Sequence, residues 1–139
     1  MIASDTLTIA SRTSAIDDAR SWVGRYLVPA GASADAIWAI EMALTEALAN
    51  VITHGYGGDD SRSIHLFLEL HADRCEIEIV DFGEPFDESA YTAPDLAEPR
   101  AGGYGLHLIG ELMDDVERTM TPDGGTRLRL VKRRWKGDS

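Results

Sequence analysis

The chain has 139 residues, 44% of them apolar and 27% charged, which suffices for one globular domain, residues 1–139, with a buried core. Its 24 Asp and Glu against 13 Lys and Arg give a formal net charge of −11, which opposes direct nucleic-acid binding, since phosphate backbones select clustered cations. The single cysteine, Cys75, excludes an internal disulfide and a cysteine-built metal cluster; with no apolar run read as reaching the roughly 20 residues of a membrane span and no signal-peptide pattern at the start, a cytoplasmic protein without a membrane partner is expected.

Thr6 to Ala10 reads as a first strand. Ser14 stands as an N-cap with Asp17 three residues on, and Ile16, Ala19, Trp22, Val23, Tyr26 and Leu27 give a helix to about Val28, ended by Pro29 and Gly31. Ser33 opens a second helix whose Ile37, Ile40, Leu44, Leu48 and Val51 recur at helical spacing and predict a buried face. Glu46, Asn50 and His54 are spaced by four, so they predict a separate polar stripe on the last turns of that helix. A carboxylate accepts a proton, and an Asn oxygen is a neutral hard ligand for a divalent cation. Ordinary solvated helix surface has the same composition. Gly55 and the turn Tyr56-Gly57-Gly58-Asp59-Asp60 stop the helix.

Ile64, Leu66, Leu68 and Leu70 alternate with His65, Phe67 and Glu69; after a turn at Ala72-Asp73, Cys75, Ile77 and Ile79 alternate with Glu76 and Glu78. Two antiparallel strands, each with one buried face, account for this. Val80 leads into Asp81-Phe82-Gly83-Glu84-Pro85-Phe86, which sets Asp81 at a strand end beside a glycine, as an acceptor for an exocyclic amine or as a turn cap. The proline-containing stretch from Glu84 to Gly103 is long for a connection in a compact domain. Gly102-Gly103-Tyr104-Gly105-Leu106 then precedes a short helix over 105–112, where glycines let backbone amides face an anion, or simply end the loop. Asp115 to Met120 and Thr126 to Lys132 read as two strands joined by Pro122-Asp123-Gly124-Gly125, and Lys132, Arg133, Arg134 and Lys136 read as solubilising charge behind the last of them.

In this order the motifs resemble the GHKL superfamily of ATPases, which includes gyrase, MutL and the histidine kinases, and most closely the small RsbW- and SpoIIAB-type anti-sigma factor serine kinases. Glu46, Asn50 and His54 match the asparagine box; Asp81, Gly83 and Phe86 match a first glycine box of the form DxGxPF; Gly103, Gly105 and Leu106, with the helix that follows, match the second. The resemblance implies a two-layer α/β sandwich of the Bergerat type, a mixed, mainly antiparallel sheet with helices on one face. It implies ATP and Mg²⁺ as cofactors. Asn50 would hold the metal, Asp81 would read the adenine amino group, Gly103 and Gly105 would face the phosphates, Thr126 would help bind adenine, and Glu46 would be the general base, with His54 the competing candidate. The stretch from Glu84 to Gly103 would be the ATP lid. Tyr104 stands where relatives often carry Arg, and Arg100 is the residue placed to compensate.

The function implied is transfer of the ATP γ-phosphoryl group to a serine of a small anti-sigma factor antagonist, with sequestration of a sigma factor or other regulator. A nucleotide-dependent binding module that switches partners without catalysis is the alternative, and Glu46 speaks for the enzyme, since a switch needs no carboxylate one turn before the metal ligand. The resemblance also implies a homodimer formed by the first strand and first helix, for which Leu7, Ile9, Trp22 and Tyr26 offer an apolar patch unless they pack in the core.

Overall fold

A computed structural model describes residues 1–84 and 103–137. Strands β1 (Ala3–Ala10), β2 (Ser63–Leu70), β3 (Arg74–Asp81), β4 (Asp115–Met120) and β5 (Thr126–Arg133) form one sheet in the order β1-β2-β3-β5-β4. Helices α1 (Ser14–Leu27), α2 (Ala34–Asn50) and α3 (Gly103–Leu112), with a π-helical turn over Val51–Gly55, complete the described elements. All four ladders are antiparallel, so the mixture expected of the sheet is absent among the described residues.

Period-two alternation drives the sheet. Ile64, Leu66, Leu68 and Leu70 of β2 and Cys75, Ile77 and Ile79 of β3 point to one face and are buried, and the register sets Leu66 beside Ile79 and Leu68 beside Ile77. Leu128 and Leu130 of β5 continue this face across Ile79 and Ile77. Ala19, Val23 and Leu27 of α1 and Ile40, Ala43, Leu44, Ala47 and Leu48 of α2 close the core above it. Burial pushes the Cys75 thiol up to about 12, so it is an inert core group.

The helix starts differ in kind. Ser33 caps α2 as expected, its Oγ accepting from the Ala36 amide at 3.0 Å. Ser14, by contrast, is the first residue of α1 and not its cap. Thr13 precedes it in helical conformation without a side-chain cap, because a tight turn already takes the Ala15 and Ile16 amides to the Arg12 and Thr13 carbonyls. From Ala34 to Gly55 the chain is helical for 22 residues with mean hydropathy 1.3 in its most apolar window, long and apolar enough to cross a membrane, contrary to the expectation from sequence. Its apolar stripe is spent on the sheet instead, in the residues of α2 already named.

Three further expectations give way to packing. Glu76 lies on the outer face of the sheet yet is buried, and Arg74 Nε at 2.9 Å together with Arg129 Nη2 holds its carboxylate. Burial alone raises that carboxyl, and the two guanidiniums outweigh it and hold it below the usual range. The tail is no mere solubilising charge: Lys132 Nζ donates to the last α3 carbonyl, Leu112 O, at 3.0 Å, and Trp135 is fully buried with its indole N–H on His71 O at 2.8 Å. Trp22 and Ile9 belong to the core, so they leave no free patch beside β1; Trp22 Nε1 donates to Asp5 Oδ2 at 2.9 Å and the Tyr26 hydroxyl donates to the same oxygen.

Candidate functional site

Glu46 and Asn50 lie half-buried on the last turns of α2, beside the core residues Ala47 and Leu48. The α-helical spacing ends there. Val51–Gly55 forms a turn of π-helix in which the Tyr56 amide reaches back five residues to Val51 O at 2.8 Å. The wider turn takes His54 out of the four-residue register, so Glu46, Asn50 and His54 do not make the single stripe that uniform α-helix predicts. His54 is exposed, while Ile52 and Tyr56 turn inwards.

The π-turn brings the end of this helix onto the loop after β3. Gly55 and Gly83 meet backbone to backbone: a Cβ on Gly83 would lie 2.2 Å from Gly55 O, and the Glu84 amide donates to that oxygen at 2.6 Å. A Cβ on Gly55 would in turn come within 3.6 Å of Asp81 Oδ1. Glycine is needed at Gly83, where a Cβ would run into the Gly55 backbone, whereas a Cβ on Gly55 would make only ordinary contacts.

Asp81, only 7% exposed, ends β3, and its Oδ1 accepts from the Gly83 amide at 3.0 Å. Burial raises its carboxyl, opposed by the Gly83 amide and by the charge of Arg118 on β4. The register of β3 and β5 sets Thr126 directly across from Asp81, and Thr126 is buried too. Met120 pairs with Thr126 from the other side and is well exposed. Gly125 tightens the corner, since a Cβ there would lie 2.8 Å from both Asp81 O and the Phe82 ring. A carboxylate, a hydroxyl and a flat backbone cradle thus meet on the inner face of the sheet, below the end of α2.

Of the other residues singled out in the sequence, Gly103, Tyr104, Gly105 and Leu106 open α3, two residues earlier than expected, and α3 sends Ile109 and Met113 into the core. Phe86, Arg100 and Gly102, with most of the stretch read as a lid, lie outside the described residues. Sequence reasoning gave Gly55 and Tyr56 only as the helix stop and its turn and did not single out Arg118. An aromatic inside a glycine-rich turn was the available signal for Tyr56. Among the described residues the group Glu69, His71 and Glu76 has metal-ligand spacing, but it sits on the outer face and Glu76 is already held by two arginines.

Residues 9–132 match the model of the histidine kinase-like ATPase domain family. A serine-protein kinase RsbW from Halalkalibacterium halodurans is 31% identical over 134 residues, 91% of this chain and 80% of that protein. One from Oceanobacillus iheyensis is 36% identical over 95 residues, and the match spans 63% of this chain and 60% of that relative. In three dimensions the chain is similar to a structure of the RsbU and RsbW domains of a Mycobacterium tuberculosis protein, with a TM-score of 0.69 and 21% identity, covering 94% of this chain and 32% of that one.

Proposed function

Since the chain belongs to the family of histidine kinase-like ATPase domains, we propose that it is a serine-protein kinase that passes the ATP γ-phosphoryl group to a serine of a small antagonist protein, and that it sequesters a sigma factor or equivalent regulator. ATP use goes with the family. One observation supports the reading above the others: Asp81 and Thr126 are paired across β3 and β5 next to the Gly55–Gly83 contact, a close backbone approach that a Cβ on Gly83 would obstruct. Gly83 takes one oxygen of Asp81, and the other is assigned to the exocyclic amine of adenine, with Thr126 as a second polar contact.

The donor set suits Mg²⁺, because the Asn50 amide oxygen is a hard neutral ligand next to the half-buried carboxylate of Glu46. Bound Mg²⁺ would neutralise charge on the phosphates. Gly103 and Gly105, at the start of α3, are assigned to the phosphates, and Phe86, Gly102, Tyr104 and Leu106 are assigned to nucleotide binding on the family resemblance alone. A serine hydroxyl is a poor nucleophile at neutral pH, so Glu46, one turn from the metal ligand, is assigned the proton. A cytoplasmic location, a single domain over 1–139 and a homodimer are parts of the same proposal. β1 is an edge of the sheet, and its Leu7, packed against the core and half-buried, keeps part of its surface for such a contact. A monomer mass by light scattering at micromolar concentration overturns the dimer.

The test incubates the purified chain with a candidate antagonist and γ-labelled ATP, with and without Mg²⁺. Label on an antagonist serine only when Mg²⁺ is present is the expected result. Nucleotide-dependent partner binding with no label transferred to any antagonist refutes the kinase and leaves a binding module.

A further inference from the structure

Tyr56 is 7% exposed and stands where the π-turn ends, in neither strand nor helix. Its hydroxyl donates to Ser63 O at 2.7 Å and accepts from the Phe82 amide at 2.9 Å. The Arg62 guanidinium lies 4.7 Å from its ring centroid, and Arg62 Nη2 also donates to Phe82 O at 3.3 Å. Phe82 directly follows Asp81. Three successive amides after Asp81 are therefore anchored: Phe82 N on Tyr56, Gly83 N on Asp81 itself and Glu84 N on Gly55. Two of those three anchors come from the end of the helix that carries Glu46 and Asn50.

We propose that Tyr56 is a positioning residue for base selection, whose hydroxyl, reaching across from the helix end, fixes the backbone that aims the Asp81 carboxylate. A buried hydroxyl used both as donor and as acceptor holds two segments at one separation, because moving either breaks a bond in a place that water does not replace. An acceptor selects adenine over guanine only if its direction is fixed, since a carboxylate free to turn away avoids the guanine oxygen. Tyr56 thus acts on the choice of base more than on the triphosphate that both nucleotides share. The inference rests on the assignment of Asp81 to the adenine amine.

The experiment measures ATP and GTP affinities by calorimetry for the wild-type chain and for Tyr56→Phe, Arg62→Ala, Ser11→Ala and Asp81→Asn. Tyr56→Phe keeps the ring and should narrow the ATP-to-GTP affinity ratio by roughly three- to tenfold, the worth of one buried hydrogen bond. Arg62→Ala, at an exposed residue, should narrow it less and in the same sense. Ser11→Ala is the structural control: the Ser11 hydroxyl is buried between Asp59 O and the Arg62 amide, so its loss should lower the melting temperature and leave the ratio alone. A ratio unchanged in a folded Tyr56→Phe, or narrowed as much in Ser11→Ala, overturns the proposal. If Tyr56→Phe fails to fold, Arg62→Ala decides. Asp81→Asn separates the premise: an unchanged ratio there removes the adenine assignment, whereas a collapsed ratio there with an unchanged one in Tyr56→Phe removes only the role of Tyr56.

Discussion

Adding one methyl group at Gly83 tests the contact on which the site is built. A Cβ there would lie 2.2 Å from Gly55 O, 2.4 Å from Gly55 C and 2.9 Å from Gly55 Cα, all backbone atoms with no rotamer to escape into. Ordinary contact begins near 3.4 Å, so the loop and the helix end must part by about 1.2 Å. That displacement breaks the 2.6 Å bond from the Glu84 amide to Gly55 O. Overpacking of this kind costs about 1–3 kcal/mol, and the lost hydrogen bond adds about 1 kcal/mol. For a chain of this length the sum corresponds to a fall in melting temperature of roughly 5–15 °C. A shift of an ångström at a binding group also predicts an ATP affinity at least tenfold weaker, on the order of the cost of misplacing one polar contact. Thermal melts by circular dichroism and calorimetry with ATP measure the two effects. Gly58→Ala is the comparison, since Gly58 has φ +85° and open space around it, so it strains the turn without touching the cradle. Gly83→Ala that melts within 2 °C of wild type, a margin of roughly half a kcal/mol, and binds ATP unchanged refutes the close approach and the positioning role given to it.

Glu46→Gln keeps the size of the side chain and removes its proton affinity, so label transfer should fall by on the order of 100-fold while ATP affinity stays nearly constant; transfer at the original rate sinks the assignment, and an inactive His54→Ala would then move the base there. Trp135→Ala should cost about 3–5 kcal/mol as a core cavity in a chemical denaturation, whereas a tail that only solubilises would show almost none of it. Asp5 is held below its ordinary value by the Tyr26 hydroxyl first, then by the Trp22 indole and the Thr6 amide. Its folded pKa being the lower one, the stability it brings is complete above the unfolded value near 3.8 and is lost as pH falls below that through the folded value. Asp5→Asn should therefore flatten the acid end of the stability curve below about pH 4 and leave its shape at neutral pH unchanged, and an acid limb identical to wild type contradicts this.

Local pattern determined much of the architecture. Alternation over Ile64 to Leu70 and Cys75 to Ile79 is decided by which face of a pleat is wet, and Ser33 caps a helix through an amide three residues away; both are settled within a few residues of chain. The order of Glu46 and Asn50, then Asp81 and Gly83, then the glycines before α3, was likewise legible as a family resemblance, and the chain belongs to that family. Tertiary structure alone decided the rest. Thr126 meets Asp81 because β5 enters the sheet beside β3, a register that neither segment encodes by itself. The π-turn at Val51–Gly55 replaces the uniform helix that spacing predicts, and there Gly55 meets the loop after β3, a partner far away in sequence. Glu76 and the basic tail around Trp135 look solvated in a linear reading, yet Glu76 and Trp135 are buried, since what covers them, Arg129 for the one and the His71 turn for the other, arrives only when the sheet is assembled. Burial is a property of neighbours brought together across the chain, and a sequence read in short windows specifies faces and turns but not which neighbours those are.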